Sequence, residues 1–282
     1  MRPTSQGGRS FRHLCSVYGI GAALLIGLPS GAEAGALVPP QVTTTTQTSG
    51  DAVGASSNRL GLGRLLQQAG RDRLLRIVAF GSSSTEGVGA TSPTRAYPAQ
   101  LQLDLAQAMP MLSIQVVNRG IGGEDVDDMM ARLQSDVLSR RPDLVIWQTG
   151  SNDPMRNVPL DRFATETRAG IAAIRAAGAK VMLMEPQWCP KLDATTGATS
   201  FRDSVRQIGA ELGVPVIRRS DLMHRWVAEG RISREDMIAP DGLHMTDRGY
   251  ALLARDVAQE ILKDAAPAAP VAAVAPSVVR AR

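Results

Sequence analysis

Five short, continuously apolar runs constrain this chain more than any other feature. They are Arg76–Phe80 (RIVAF), Ser113–Asn118 (SIQVVN), Leu144–Gln148 (LVIWQ), Val181–Met184 (VMLM) and Val214–Ile217 (VPVI). A strand with one wet face alternates apolar and polar residues, whereas these runs stay largely apolar, which implies cover on both faces. Helical stripes separate them: Tyr97, Leu101 and Leu105; then Leu160, Phe163, Thr167, Ile171 and Ile174, closed by Gly178; then Tyr250, Leu253, Val257 and Ile261. Strands alternating with helices predict an α/β chain, a three-layer α/β/α sandwich around a parallel sheet with right-handed crossovers. Ligands of such sheets bind beyond the carboxyl ends of the strands, so the residues after each run become the candidate site.

Those residues are small and polar. Gly81-Ser82-Ser83-Ser84-Thr85-Glu86-Gly87 follows the first run and Asn118-Arg119-Gly120-Ile121-Gly122-Gly123-Glu124 the second. Gly150-Ser151-Asn152-Asp153 follows the third, and Pro240-Asp241-Gly242-Leu243-His244-Met245-Thr246 precedes the last helix. A serine hydroxyl becomes a nucleophile when a base takes its proton, and the base needs an acid to fix its tautomer. Asp241 and His244 suit that pair, and backbone N–H groups near Gly122 and Ser83, with the Asn152 amide, suit an oxyanion. Taken singly, each segment has a plainer reading: a serine-rich turn caps helices, and Asn152 forms turns. The glycines at 120, 122 and 123 do not complete a dinucleotide loop, because Asp125 stands where its third glycine belongs. A second Asp-x-x-His pair, Asp221 and His224, reads as the start of a helix capped by Ser220 or Asp221, whereas Asp241–His244 lies in a loop with Thr246 placed to cap the helix after it.

In conjunction and in this order, the four segments resemble the four blocks of the SGNH, or GDSL, hydrolase family of esterases and lipases. The resemblance covers the whole folded unit and implies a flavodoxin-like fold with a five-stranded parallel sheet. It implies catalysis without cofactor or metal, with Ser83 as nucleophile, Asp241 and His244 completing the triad, and Ser83, Gly123 and Asn152 forming the oxyanion hole. Gly81 and Gly87 set the register that selects Ser83 from its serine triplet. One departure stands out: the family's usual Gly-Asp-Ser reads Gly81-Ser82-Ser83 here, which changes the hydrogen bonding around the nucleophile.

The flanks carry a different message. Arg2, Arg9 and Arg12, the apolar run Val17–Leu28 and Ala32-Glu33-Ala34 make up the pattern of an export signal over residues 1–34. The run is too short to span a bilayer, so no stable membrane anchor is expected and the location reads as periplasmic or secreted. Residues 35–57 are predicted to be a Thr/Ser-rich flexible spacer, 58–264 the hydrolase domain and 265–282 an Ala/Pro-rich disordered tail. Removing Arg2, Arg9, Arg12 and Glu33 takes the formal charge from +4 to +2. With no basic run, nucleic acid is not an expected partner. Cys189 is then the sole cysteine, which excludes an internal disulfide; it reads as a partly buried free thiol. Two histidines and one cysteine offer no metal-ligand spacing.

The expectation is an exported serine esterase acting on short-acyl, O-acetyl esters of carbohydrate, its partner a small-molecule or polysaccharide ester. The alternatives are a lysophospholipase or thioesterase on longer acyl chains, or a non-catalytic glycan-binding protein of the envelope. Of eight aromatics beyond the signal, only Trp188 falls in a loop after a strand; it is expected at the rim of the site as a face for a sugar or small acyl group.

Overall fold

The computed structural model describes residues 74–265. The predicted export signal (1–34) and spacer (35–57), residues 58–73, and residues 266–282 of the predicted tail lie outside the described residues. Five parallel strands form one sheet: β1 (Leu74–Gly81), β2 (Ser113–Gly120), β3 (Leu144–Gln148), β4 (Lys180–Met184) and β5 (Val216–Ile217). All five predicted runs are strands, in the order β2-β1-β3-β4-β5. The last is shorter than its apolar run: Pro215 has no N–H for the ladder, although its carbonyl still accepts from Leu183 N.

Alternation along each strand sorts side chains into two cores. Leu75, Ile77, Ala79, Leu144, Ile146, Met182 and Met184 face one side. There they pack on α2 (Tyr97–Ala108) and α9 (Asp247–Ala265), whose Tyr97, Leu101, Leu105, Tyr250, Leu253, Val257 and Ile261 are fully buried. Val78, Phe80, Val145, Trp147, Val181 and Leu183 face the other side. They meet α3 (Val126–Asp136), α4 (Leu160–Ala176) and α6 (Ala198–Leu212). The predicted α4 stripe is buried from Phe163 onward, while Leu160 at its first turn is exposed. Short helices α1 (Ser83–Glu86), α5 (Pro190–Asp193) and α8 (Arg234–Met237), with the longer α7 (Arg219–Ala228), complete the chain. No described helix is long and apolar enough to cross a membrane.

The chain leaves β1 for β2 on one side and returns to β3 on the other, so β1 lies between them. This reversal opens a crevice at the carboxyl ends of β1 and β3. The Ser83 and Asn152 segments emerge there.

Candidate active site

Ser83 is the first residue of α1, directly after β1, and as such its N–H has no acceptor within the helix. Gly120, at the end of β2, lets α1 sit this close: a Cβ there would lie 1.9 Å from Glu86 N. His244 Nε2 stands 2.8 Å from Ser83 Oγ, across 161 residues of sequence. On the far side of the ring, Nδ1 is 2.5 Å from Asp241 Oδ2. The other carboxylate oxygen of Asp241 accepts the backbone N–H groups of Leu243 and His244. Burial alone would raise the Asp241 pKa, but hydrogen bonds from the His244 ring and these N–H groups outweigh it and hold the carboxyl at about 2. Asp241 is therefore ionised and can only accept, so Nδ1 carries the imidazole hydrogen and Nε2 is left to receive the Ser83 proton. Thr246 caps α9 as expected, its Oγ1 accepting from Gly249 N.

The β2 loop passes directly over the serine: a Cβ on Gly122 would lie 3.8 Å from Ser83 Cβ. Gly123 adopts the left-handed φ of 78°, with no atom within 4 Å of where its Cβ would be. Asn152 donates Nδ2–H to the Glu124 carbonyl at 2.7 Å, which leaves its second amide hydrogen free for another acceptor. Asp125 caps α3 through a capping box and holds the end of this loop. Of the three groups expected at the oxyanion, Ser83 lies beneath the Gly122-Gly123 turn, and Asn152 is tied to the end of that turn through Glu124.

The second Asp-x-x-His pair is built otherwise. Asp221 accepts from Arg206, and His224 stacks on Trp188 with ring centroids 3.7 Å apart. Neither Ser220 nor Asp221 caps that helix, which starts one residue earlier at Arg219; Ser220 instead bonds the buried Glu185 carboxylate. Trp188 differs from the open indole expected of it. It is half-buried against the core, its ring stacked by His224 and lying 4.3 Å below the Arg234 guanidinium. Its π surface is already engaged by protein groups, His224 from α7 and Arg234 from α8. Cys189 is fully buried and unpaired, and burial pushes its thiol pKa up.

Residues that the sequence did not single out frame the serine. Gln148, the buried last residue of β3, accepts from Ser82 N, Ser82 Oγ and Thr85 Oγ1 through one atom, Oε1. Its Nε2 donates to Ser151 Oγ, which donates in turn to Gln187 Oε1. A glutamine ending a continuously apolar strand was the available signal. A cavity of about 580 Å³ lies beside the Asp241–His244 loop, lined by Pro190, Arg234, Ile238, Pro240, Gly242 and Thr246. A larger one, about 690 Å³, surrounds Lys180 at the amino end of β4, the end of the sheet away from the serine.

Known proteins share this arrangement of chain. The family model described as "Non-GDSL lipase-like family" matches residues 52–267. The uncharacterized lipoprotein YqeF of Bacillus subtilis is 27% identical over 211 residues, 63% of this chain and 85% of that protein. An acetylxylan esterase of Geobacillus stearothermophilus is 30% identical over 144 residues, 48% of this chain and 61% of its own length. In structure, a two-domain esterase active on acetylated mannans superposes with a TM-score of 0.62 at 22% identity; the match covers 75% of this chain and 55% of that one, and shows a shared fold.

Proposed function

This chain belongs to the non-GDSL lipase-like family, and from that premise we propose that it is an exported carboxylic ester hydrolase working through Ser83, His244 and Asp241. One observation carries the reading. Segments far apart in sequence bring a serine hydroxyl to 2.8 Å from an imidazole nitrogen, whose partner nitrogen lies 2.5 Å from a carboxylate.

In the first half-reaction Ser83 Oγ attacks the ester carbonyl carbon while its proton passes to His244 Nε2. The carbonyl electron pair moves onto oxygen, where Ser83 N–H, Gly123 N–H and the free Asn152 amide hydrogen receive it. The carbon–oxygen bond to the alcohol then breaks, and His244 returns the proton to the departing oxygen. Water repeats the sequence on the acyl-serine and releases the acid. Asp241 stays ionised and stabilises the imidazolium.

For the substrate we propose O-acetyl groups on carbohydrate. The acetylxylan esterase relative supports this choice, and the lipoprotein relative supports an envelope or extracellular setting. The test is kcat/KM across acetyl, butyryl, octanoyl and dodecanoyl esters and acetylated polysaccharides, with Ser83→Ala as control. Acetyl esters are expected to lead. Octanoyl or dodecanoyl exceeding acetyl tenfold would replace this substrate class with long acyl chains, and full activity in Ser83→Ala would overturn the mechanism.

A further inference from the structure

Arg219 is the first residue of α7 and is 0% exposed. Its guanidinium donates through Nε to the Glu185 carbonyl at 3.1 Å, through Nη1 to Ser84 Oγ at 2.8 Å and through Nη2 to Gln187 Oε1 at 2.5 Å. None of these acceptors is a carboxylate. The carboxylate of Glu185 is taken by the Arg206 fork at 2.5 and 2.8 Å and by Ser220 N and Oγ. Burial pulls the Arg219 pKa down to about 10, which leaves it charged at neutral pH. A buried cation with no ion-pair partner among the described residues is an expensive feature, and well-packed apolar residues often serve stability as well or better. Its position therefore calls for an explanation in what it holds.

What it holds is the site, at one remove. Ser84 is the neighbour of Ser83. Gln187 donates Nε2–H to the carbonyl of Leu243, the neighbour of His244, at 3.1 Å. The same Gln187 accepts from Ser151, the neighbour of Asn152. One planar fork thus joins the nucleophile segment, the base segment and an oxyanion segment from beneath.

We infer that Arg219 is a positioning residue for ester hydrolysis, fixing Ser83 through Ser84 and fixing His244 and Asn152 through Gln187; this rests on the proposed function above. The physical basis is the steepness of catalysis in geometry, since a 1 Å misplacement loses about 10²-fold in rate. A lysine keeps the charge but lacks three donors in a fixed plane.

The experiment begins with wild type and Ser83→Ala on an aryl acetate. Inactive wild type, or active Ser83→Ala, counts against the proposed function and is settled before Arg219 is addressed. Arg219→Lys, Arg219→Gln, Ser84→Ala and the double variant Ser84→Ala/Arg219→Gln are then compared by kcat and KM per folded molecule, well below their melting temperatures. Arg219→Gln is expected to lose about 10²-fold in kcat with KM within threefold, and Arg219→Lys and Ser84→Ala at least tenfold. The double variant should fall no more than twofold below Arg219→Gln, because Arg219→Gln already breaks the route through Ser84. A purely structural arginine would lower the melting temperature and leave kcat alone. Wild-type kcat in folded Arg219→Lys and Ser84→Ala therefore overturns the inference. If no Arg219 variant folds, Ser84→Ala alone decides, tenfold loss supporting it and unchanged kcat overturning it.

Discussion

Ser82 donates both its backbone N–H and its hydroxyl to a single atom, Gln148 Oε1, at 2.9 and 3.1 Å. The position that is aspartate in the usual Gly-Asp-Ser block is here a donor facing an acceptor. Thr85 Oγ1 joins the same oxygen at 3.1 Å, and both Ser82 and Gln148 are buried. The polarity around Ser83 is thereby set by a glutamine from the neighbouring strand.

Restoring the familiar residue should therefore harm this protein. In Ser82→Asp a carboxylate meets the Gln148 oxygen, and turning the amide to help it removes the acceptor from Thr85. A loss of about 1–3 kcal/mol in unfolding free energy is expected, the range for a buried group left without its partner. Urea melts of Ser82→Asp and Ser82→Ala check this, with Ser82→Ala the milder because the backbone N–H bond survives. A Ser82→Asp variant as stable as wild type contradicts the account.

The two histidines should separate cleanly. His244→Ala is expected to lower kcat by about 10³-fold or more, the scale of losing a triad base. His224→Ala should retain turnover within a few fold, since that ring stacks on Trp188 and contacts no part of the Ser83 chain of hydrogen bonds. Steady-state rates on an acetyl ester decide it; a dead His224→Ala beside an active His244→Ala reverses the assignment.

Asn152 holds the Glu124 carbonyl and is proposed to donate to the oxyanion as well, and its variant should show both. Asn152→Ala is expected to lower kcat by about 10²–10³-fold with KM little changed, because an oxyanion donor acts most strongly as charge develops. It also removes the bond to the Glu124 carbonyl, so stability should fall by about 1 kcal/mol. A change confined to KM would assign Asn152 to ground-state binding instead.

Asp153 gives the fold a pH dependence of its own. It is fully buried, Oδ1 accepts from Val126 N at 2.9 Å, and Oδ2 has no hydrogen-bond partner among the described residues. Burial, opposed by the backbone hydrogen bonds, raises its pKa to about 6. The native state then holds its proton more tightly than the unfolded chain, so this group subtracts stability as pH rises from about 4 to about 6. The loss is of the order of 3 kcal/mol across that window. Asp153→Asn should flatten the fall; unfolding midpoints at pH 4, 5, 6 and 7 for both proteins measure it. An equally steep decline in the variant would place the titration elsewhere.

Much of this molecule is local information. Continuous apolar runs specify parallel strands; the central β1, β3 and β4 are largely buried because their side chains face one of two dry layers, while the edge strand β2 stays partly exposed. The helix stripes repeat at the spacing that keeps one face on the sheet. Asp241 and His244 find each other within one loop, three residues apart, and the turn chemistry of the four blocks marks the strand ends where a site opens. Those features depend on neighbours along the chain, and a linear reading reaches them.

Tertiary packing decided the remainder. Two Asp-x-x-His pairs look alike on paper; only the ordering of the strand ends delivers Ser83 to His244 and turns His224 onto Trp188. The same packing covers the indole with Arg234 and buries Arg219, the first residue of α7, against Ser84 beside Ser83. The reason is physical: these contacts join segments 135 and 161 residues apart. They form when the sheet and its helices set where each backbone ends, which no periodicity or local spacing encodes.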